Sequence, residues 1–150
     1  MVIDKEFEQK LIDENFFEPE TRNDFVVDEK RKKLWAVELD LLRKFIEVCE
    51  KYKLRYFVDA GTLLGTIRHK GFIPWDDDID VVMPREDYDV FLQETKADFQ
   101  FPYILQSPYS ENDYHRTHAQ IRNVTTTAVL KNELGRYSFN QGAFLDVFPL

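Results

Sequence analysis

A chain of 150 residues fits a single domain, and its 43% hydrophobic and 15% aromatic content is enough to bury a core, which excludes a disordered chain. The net charge of -8 leaves no excess of Lys and Arg to neutralise nucleic-acid phosphates or to dock on an anionic membrane, so nucleic acid is excluded as a partner. One cysteine, Cys49, excludes an intrachain disulfide, and it reads as a buried structural thiol.

The first ten residues, MVIDKEFEQK, lack the apolar core of a signal peptide. No apolar run approaches the roughly 18 residues that a membrane span needs. The expectation is a soluble, cytoplasmic protein without a membrane span. Residues 1–28 are charged and irregularly aromatic (Phe7, Phe16, Phe17, Phe25) and read as an N-terminal arm that packs loosely. The domain proper is expected over 29–150. Asp28 is placed to cap a helix over 29–53, in which Leu34, Val37, Leu41, Phe45, Val48 and Tyr52 recur at spacings of three and four. Its other face, with Lys30, Lys33, Glu38, Lys44, Glu47 and Lys51, reads as solvated.

A strand is predicted over 55–60, where Tyr56, Phe57 and Val58 are good β formers, and Gly61 breaks it. A short helix follows over 62–69. Residues 72–75 form an extended connection, because Pro74 biases Ile73 away from helix. A second strand is predicted over 79–83 and a helix over 85–97, with Tyr88, Phe91 and Leu92 inward. Segments 102–106, 118–122, 126–130 and 143–148 read as strands. This order predicts an α+β fold, an α/β sandwich.

The informative stretch is Pro74-Trp75-Asp76-Asp77-Asp78-Ile79-Asp80-Val81-Val82-Met83. On a strand, Asp78 and Asp80 project from one face while Ile79 and Val81 face the core. Two carboxylates on one face are placed to share a hard divalent cation, which takes oxygen ligands and keeps substrate phosphates in its shell. Asp76 and Asp77 read as turn and capping residues. An EF-hand calcium loop is excluded: counted from Asp76, its required Gly and Glu fall on Val81 and Asp87. Asp146, inside the apolar run 143–150, is costly to bury alone, which makes it a candidate third carboxylate; the alternative is an exposed strand edge. His115 and His118 have no Cys or acidic partner at zinc spacing.

Gly61 has two readings, close approach of a phosphate or a plain strand breaker, and Thr62 is placed to cap the next helix and offer its hydroxyl. Gly65 fits close packing or substrate approach. Arg68 suits a bidentate phosphate contact or an ordinary surface position, and His69 a phosphate donor or a structural role. Trp75 reads first as a core plug and second as a base-stacking residue. Arg122 and Thr125 to Thr127 lie on a predicted strand pair, with a substrate role for Arg122 as one reading.

The ordered set Gly61-Thr62-Leu63-Leu64-Gly65, Arg68-His69, Ile73-Pro74-Trp75-Asp76-Asp77-Asp78-Ile79-Asp80 and Phe144-Leu145-Asp146-Val147-Phe148-Pro149-Leu150 resembles the LicD family, grouped with fukutin-type proteins in the nucleotidyltransferase-fold superfamily. The resemblance covers about 34–150. It implies a mixed sheet with packed helices, and transfer of a phospho-substituent such as phosphocholine or a polyol phosphate. The implied donor is CDP-linked, and the implied acceptor is a hydroxyl of a surface glycan or teichoic acid. It also implies Asp78, Asp80 and Asp146 as catalytic residues and ligands of Mg²⁺ or Mn²⁺, with Gly61, Thr62, Arg68, His69 and Arg122 as substrate-binding candidates. Transfer of a nucleoside monophosphate, or nucleotide binding without turnover, is the alternative. Members of the family continue past this last segment, so the domain is expected to be incomplete at its C-terminus.

Overall fold

In the computed structural model, which describes residues 1–129 and 135–150, the Asp28 carboxylate accepts the Arg31 N–H at 2.8 Å and opens helix α2, Glu29–Tyr52. That cap satisfies one of the free N–H groups of the first turn. Lys53 ends the helix in left-handed backbone (φ 57°), with its N–H turned back to the last carbonyls. Val37, Leu41, Phe45, Val48 and Cys49 are buried in the core, as their spacing predicts.

Of two expectations about the first half of the chain, one is overturned and the other holds only in part. The N-terminal arm does not pack loosely. Helix α1, Lys5–Asp13, is capped by Asp4 and buries Leu11, and Ile3 is also in the core. Strands β1, Glu20–Arg22, and β2, Phe25–Val27, form a hairpin around Asn23 and Asp24. Both loop residues have positive φ (49° and 59°), which Asn and Asp tolerate and a two-residue hairpin loop of this hand requires. The second face of α2 is solvated only in part: Lys30, Lys33, Glu47 and Lys51 are exposed as expected, but polar residues elsewhere on the helix are buried. Lys32 is buried and pairs with Glu20; Asp40, fully buried, accepts the Tyr103 hydroxyl at 2.6 Å; and Glu38 is only 2% exposed.

The five-stranded mixed sheet has the order β3-β4-β7-β6-β5, with β3 Phe57–Val58, β4 Asp80–Met83, β5 Tyr103–Gln106, β6 Ala119–Asn123 and β7 Phe144–Pro149. Only β4 and β7 pair in parallel. Helix α3, Ala60–His69, follows β3, and α4, Arg85–Glu94, follows β4. The architecture is α+β. The predicted strand over 55–60 is shorter because α3 begins at Ala60, and a short 3-10 helix, Lys96–Asp98, takes up the end of the predicted 85–97 helix. Residues 126–129 are not a strand, because the Thr126 N–H and hydroxyl both close back on Asn123 O; residue 130 lies outside the described residues.

The sheet's two faces differ in character. The rows Val81, Val147, Ala119 and Leu145, Ile121, Leu105 are buried together with α2 and α4 side chains. The intervening row, Asp80, Asp146, Gln120, Gln106, runs across four strands and projects to the other face. The core position expected of Trp75 is taken by Trp35, which is 1% exposed and stacks on Phe72 at 4.6 Å; Trp75 is 51% exposed. Leu41 is fully buried, so Leu41→Ala is expected to cost about 2–5 kcal/mol in denaturant unfolding. A loss below about 0.5 kcal/mol, the scale of a surface substitution, would show that the α2 core face is not packed as described.

Candidate active site

Strand register brings the acidic residues together. Asp80 enters β4 with its N–H held by the Thr62 hydroxyl at 2.9 Å. In the parallel pairing it stands opposite Asp146, whose N–H donates to Ile79 O at 3.0 Å. Asp78 lies two residues ahead of Asp80, just outside the strand. Asp146 is therefore in an interior strand and 8% exposed, not at an exposed edge.

Burial pushes the Asp80 carboxyl up to about 6, with the neighbouring Asp146, Asp76 and Asp59 adding to it and His118 opposing. Burial likewise lifts Asp78 to about 7, helped by Asp80, Asp76 and Asp77. Such elevated carboxyls mark a place where negative charge has been concentrated out of water.

Asp146 is held from the other side by β6. Both the His118 ring (Nε2, 2.9 Å) and the Gln120 amide (Nε2, 2.6 Å) meet its Oδ1. Arg122, 1% exposed, donates to Gln120 Oε1 and, at 2.6 Å, to Gly142 O, with its guanidinium over the Phe139 and Phe144 rings. Arg122, expected as a substrate-binding candidate, is thus buried behind Gln120. It fixes which end of the Gln120 amide faces Asp146. Sequence reasoning passed over His118 and Gln120, although His118, Gln120 and Arg122 alternate with Ala119 and Ile121, the signature of a strand with a polar face.

The acidic turn is fixed by α2. Arg31 (2.7 Å) and Trp35 (2.9 Å) both donate to Asp76 O. Asp76, Asp77 and Asp78 each offer a carboxylate oxygen, all within 4.8 Å of one another. Gly61 admits this cluster: a Cβ there would sit 2.5 Å from Asp76 Oδ2. A Cβ at Gly65 would meet Gly71 O at 2.5 Å, so close packing of α3 on residues 71–73 explains that glycine. Thr62 sits inside α3, not at its cap, and its hydroxyl accepts from Asp80.

Two clefts flank the cluster. One, of about 800 Å³, is lined by Glu38, Asp77, Asp78 and Asp146 together with Arg31 and Arg116. The other, of about 500 Å³, is lined by Arg22, Asn23, Arg68, His69 and Trp75. Arg68 and His69 are therefore in a different cleft from Asp146, connected to the acidic turn through Trp75. Arg68 Nε lies 2.8 Å from His69 Nε2.

An all-oxygen donor set is what Mg²⁺ or Mn²⁺ takes; Asp80 adds to the charge cost of Asp78 and Asp146 to that of Asp80, while among the described residues the carboxylate oxygens that all lie within 4.8 Å of one another are those of Asp76, Asp77 and Asp78. Without a cation, the lifted Asp78 and Asp80 carboxyls bind protons more tightly folded than unfolded. Their stabilising contribution is present at low pH and lost as pH rises through about 6 and 7. In a chelator, the melting temperature is expected to fall less between pH 5 and 8 for Asp80→Asn than for wild type, because one of the lifted carboxyls is gone. Parallel curves would show that Asp80 carries no such penalty.

Residues 53–149 match the family described as LicD/FKTN/FKRP, nucleotidyltransferase domain. Lipopolysaccharide cholinephosphotransferase LicD of Haemophilus influenzae is 57% identical over 61 residues, 38% of this chain and 23% of that protein. Human ribitol 5-phosphate transferase FKRP is 42% identical over 45 residues, 30% of this chain and 9% of that protein. The matched segments thus span under a quarter of either relative. Among the described residues, no helix is long and apolar enough to cross a membrane.

Proposed function

Because the chain belongs to the LicD/FKTN/FKRP nucleotidyltransferase domain family, we propose that it forms the catalytic centre for transfer of a phospho-substituent from a CDP-linked donor to a glycan or teichoic acid hydroxyl. The observation that carries this reading is the placement of Asp80 directly opposite Asp146 in the parallel strand pair, beside Asp78. Names of the relatives support the transferred group: one is a cholinephosphotransferase and another a ribitol 5-phosphate transferase.

Asp78, Asp80 and Asp146 would hold the divalent ion, Mg²⁺ or Mn²⁺, which supplies neutralisation of the donor's pyrophosphate. The acceptor hydroxyl oxygen forms a bond to the phosphorus that carries the head group. The bond from that phosphorus to the bridging anhydride oxygen breaks, and CMP leaves with the electron pair. The hydroxyl proton passes to Asp146, whose Oδ1 is held by His118 and Gln120 so that the carboxylate keeps one orientation. Arg68 and His69, in the cleft beyond Trp75, would take a donor phosphate, and the exposed Trp75 ring would lie against its base.

Calorimetric titration with CDP-choline, CDP-ribitol and CDP-glycerol tests the reading. One donor is expected to bind in Mg²⁺ and to lose at least tenfold in affinity, about 1.4 kcal/mol, in Asp80→Ala. Equal binding of all three in chelator, unaffected by Asp80→Ala, would contradict it.

A further inference from the structure

The β1–β2 hairpin lies outside the matched family segment of residues 53–149, yet it shares the smaller cleft with Arg68, His69 and Trp75 of that segment. The lining of this cleft, Arg22, Asn23, Arg68, His69 and Trp75, holds two arginines and no carboxylate. On a chain with a net charge of -8, that is a local reversal of sign. The two-residue turn at Asn23 and Asp24 makes Arg22 and Phe25 a directly opposed pair, so both side chains leave the same face of the hairpin. Arg22 lines the cleft, and the Phe25 ring meets Trp75 at 6.1 Å.

Both arginines are held through Nε. Arg22 Nε lies 2.8 Å from Glu20 Oε2, and Glu20 is shared with the buried Lys32, so two cations meet one carboxylate there and a positive charge is left over. Arg68 Nε lies 2.8 Å from His69 Nε2. Among the described residues, no hydrogen bond or ion pair engages the terminal nitrogens of either guanidinium. Those N–H groups are the ones that suit a phosphate, which accepts parallel hydrogen bonds from the guanidinium fork. Trp75 is braced by Phe25 on one side and by His69, at 6.0 Å, on another, both at steep ring angles, while half of its surface stays open. A braced and exposed indole is a platform on which a base stacks.

We propose that the hairpin is a working part of the donor site: Arg22, together with Arg68, binds a phosphate of a nucleoside diphosphate, and Phe25 positions the Trp75 ring for the base. The proposal rests on the reading of this cleft as the place of the donor, and it adds to that reading two residues from outside the family segment.

Calorimetric titration of the full chain with CDP in Mg²⁺ tests it. Arg22→Gln alters a half-buried side chain of a surface hairpin, and it is expected to bind CDP roughly tenfold more weakly than wild type. Arg22→Lys, which keeps the charge and loses the fork, is expected to lie between the two. With one screened contact gone, the affinity of Arg22→Gln is also expected to fall less steeply with added NaCl. The proposal is overturned if Arg22→Gln binds CDP as wild type does, or if its loss comes with an unchanged salt dependence, the mark of a hairpin that has merely come loose. Asp80→Ala separates the proposal from the reading on which it rests. Weakening by Arg22→Gln and not by Asp80→Ala upholds the hairpin contact and overturns the metal-assisted reading. Weakening by Asp80→Ala alone does the reverse. A wild type that binds no CDP at millimolar concentration overturns both.

Discussion

Asp80 and Asp146 stand at the same level of two hydrogen-bonded parallel strands, and the rest of the site answers to their repulsion. Adjacent strands are about 4.8 Å apart, and two like charges at about 5 Å in an effective dielectric of 20 repel by about 3 kcal/mol. The fold does not relieve this by moving either residue. Val81 and Val147, the next pair in register, are both fully buried in the core. A slip of one residue would turn both valines out and both aspartates in, so apolar burial holds the charges together.

Around that pair the structure builds two supports. Strand β6 gives Asp146 its Gln120 and His118 contacts, and Arg122 behind them fixes the orientation of the Gln120 amide. Helix α2 gives the acidic turn its anchor through Arg31 and Trp35. Gln120, Arg122 and Trp35 in these supports are buried, whereas Asp77 and Trp75 are exposed. In this arrangement the cost of assembling carboxylates is met by packing energy elsewhere in the fold.

Much of this was legible in the sequence, for definite reasons. Alternation with Ile79 and Val81 fixed the direction of Asp80, and the cost of an unpaired aspartate in an apolar run singled out Asp146. The long helix was readable because its stripe repeats at helical spacing from Leu34 to Tyr52, about five turns. What was hidden depended on partners far along the chain. Glu38 read as solvated like Lys33 and Glu47 on the same face, which are exposed, whereas the residues that share its cleft, Phe25, Val26, Asp77 and Asp78, are distant in sequence. The hairpin around Asn23-Asp24 carried a local signal, a pair of residues suited to positive φ, that irregular aromatic spacing obscured. His118 was set aside for want of a partner at zinc spacing, yet its partner, Asp146, is 28 residues away on a neighbouring strand.

The central claim is that register, by placing Asp80 against Asp146, makes a divalent-cation site at the end of β4 and β7. A crystal of the protein grown with Mn²⁺ and measured at the manganese absorption edge tests it most directly. The account predicts an anomalous peak at bonding distance from carboxylate oxygens of both Asp80 and Asp146. Fully occupied manganese elsewhere in the crystal, with no peak between these two side chains, would contradict it.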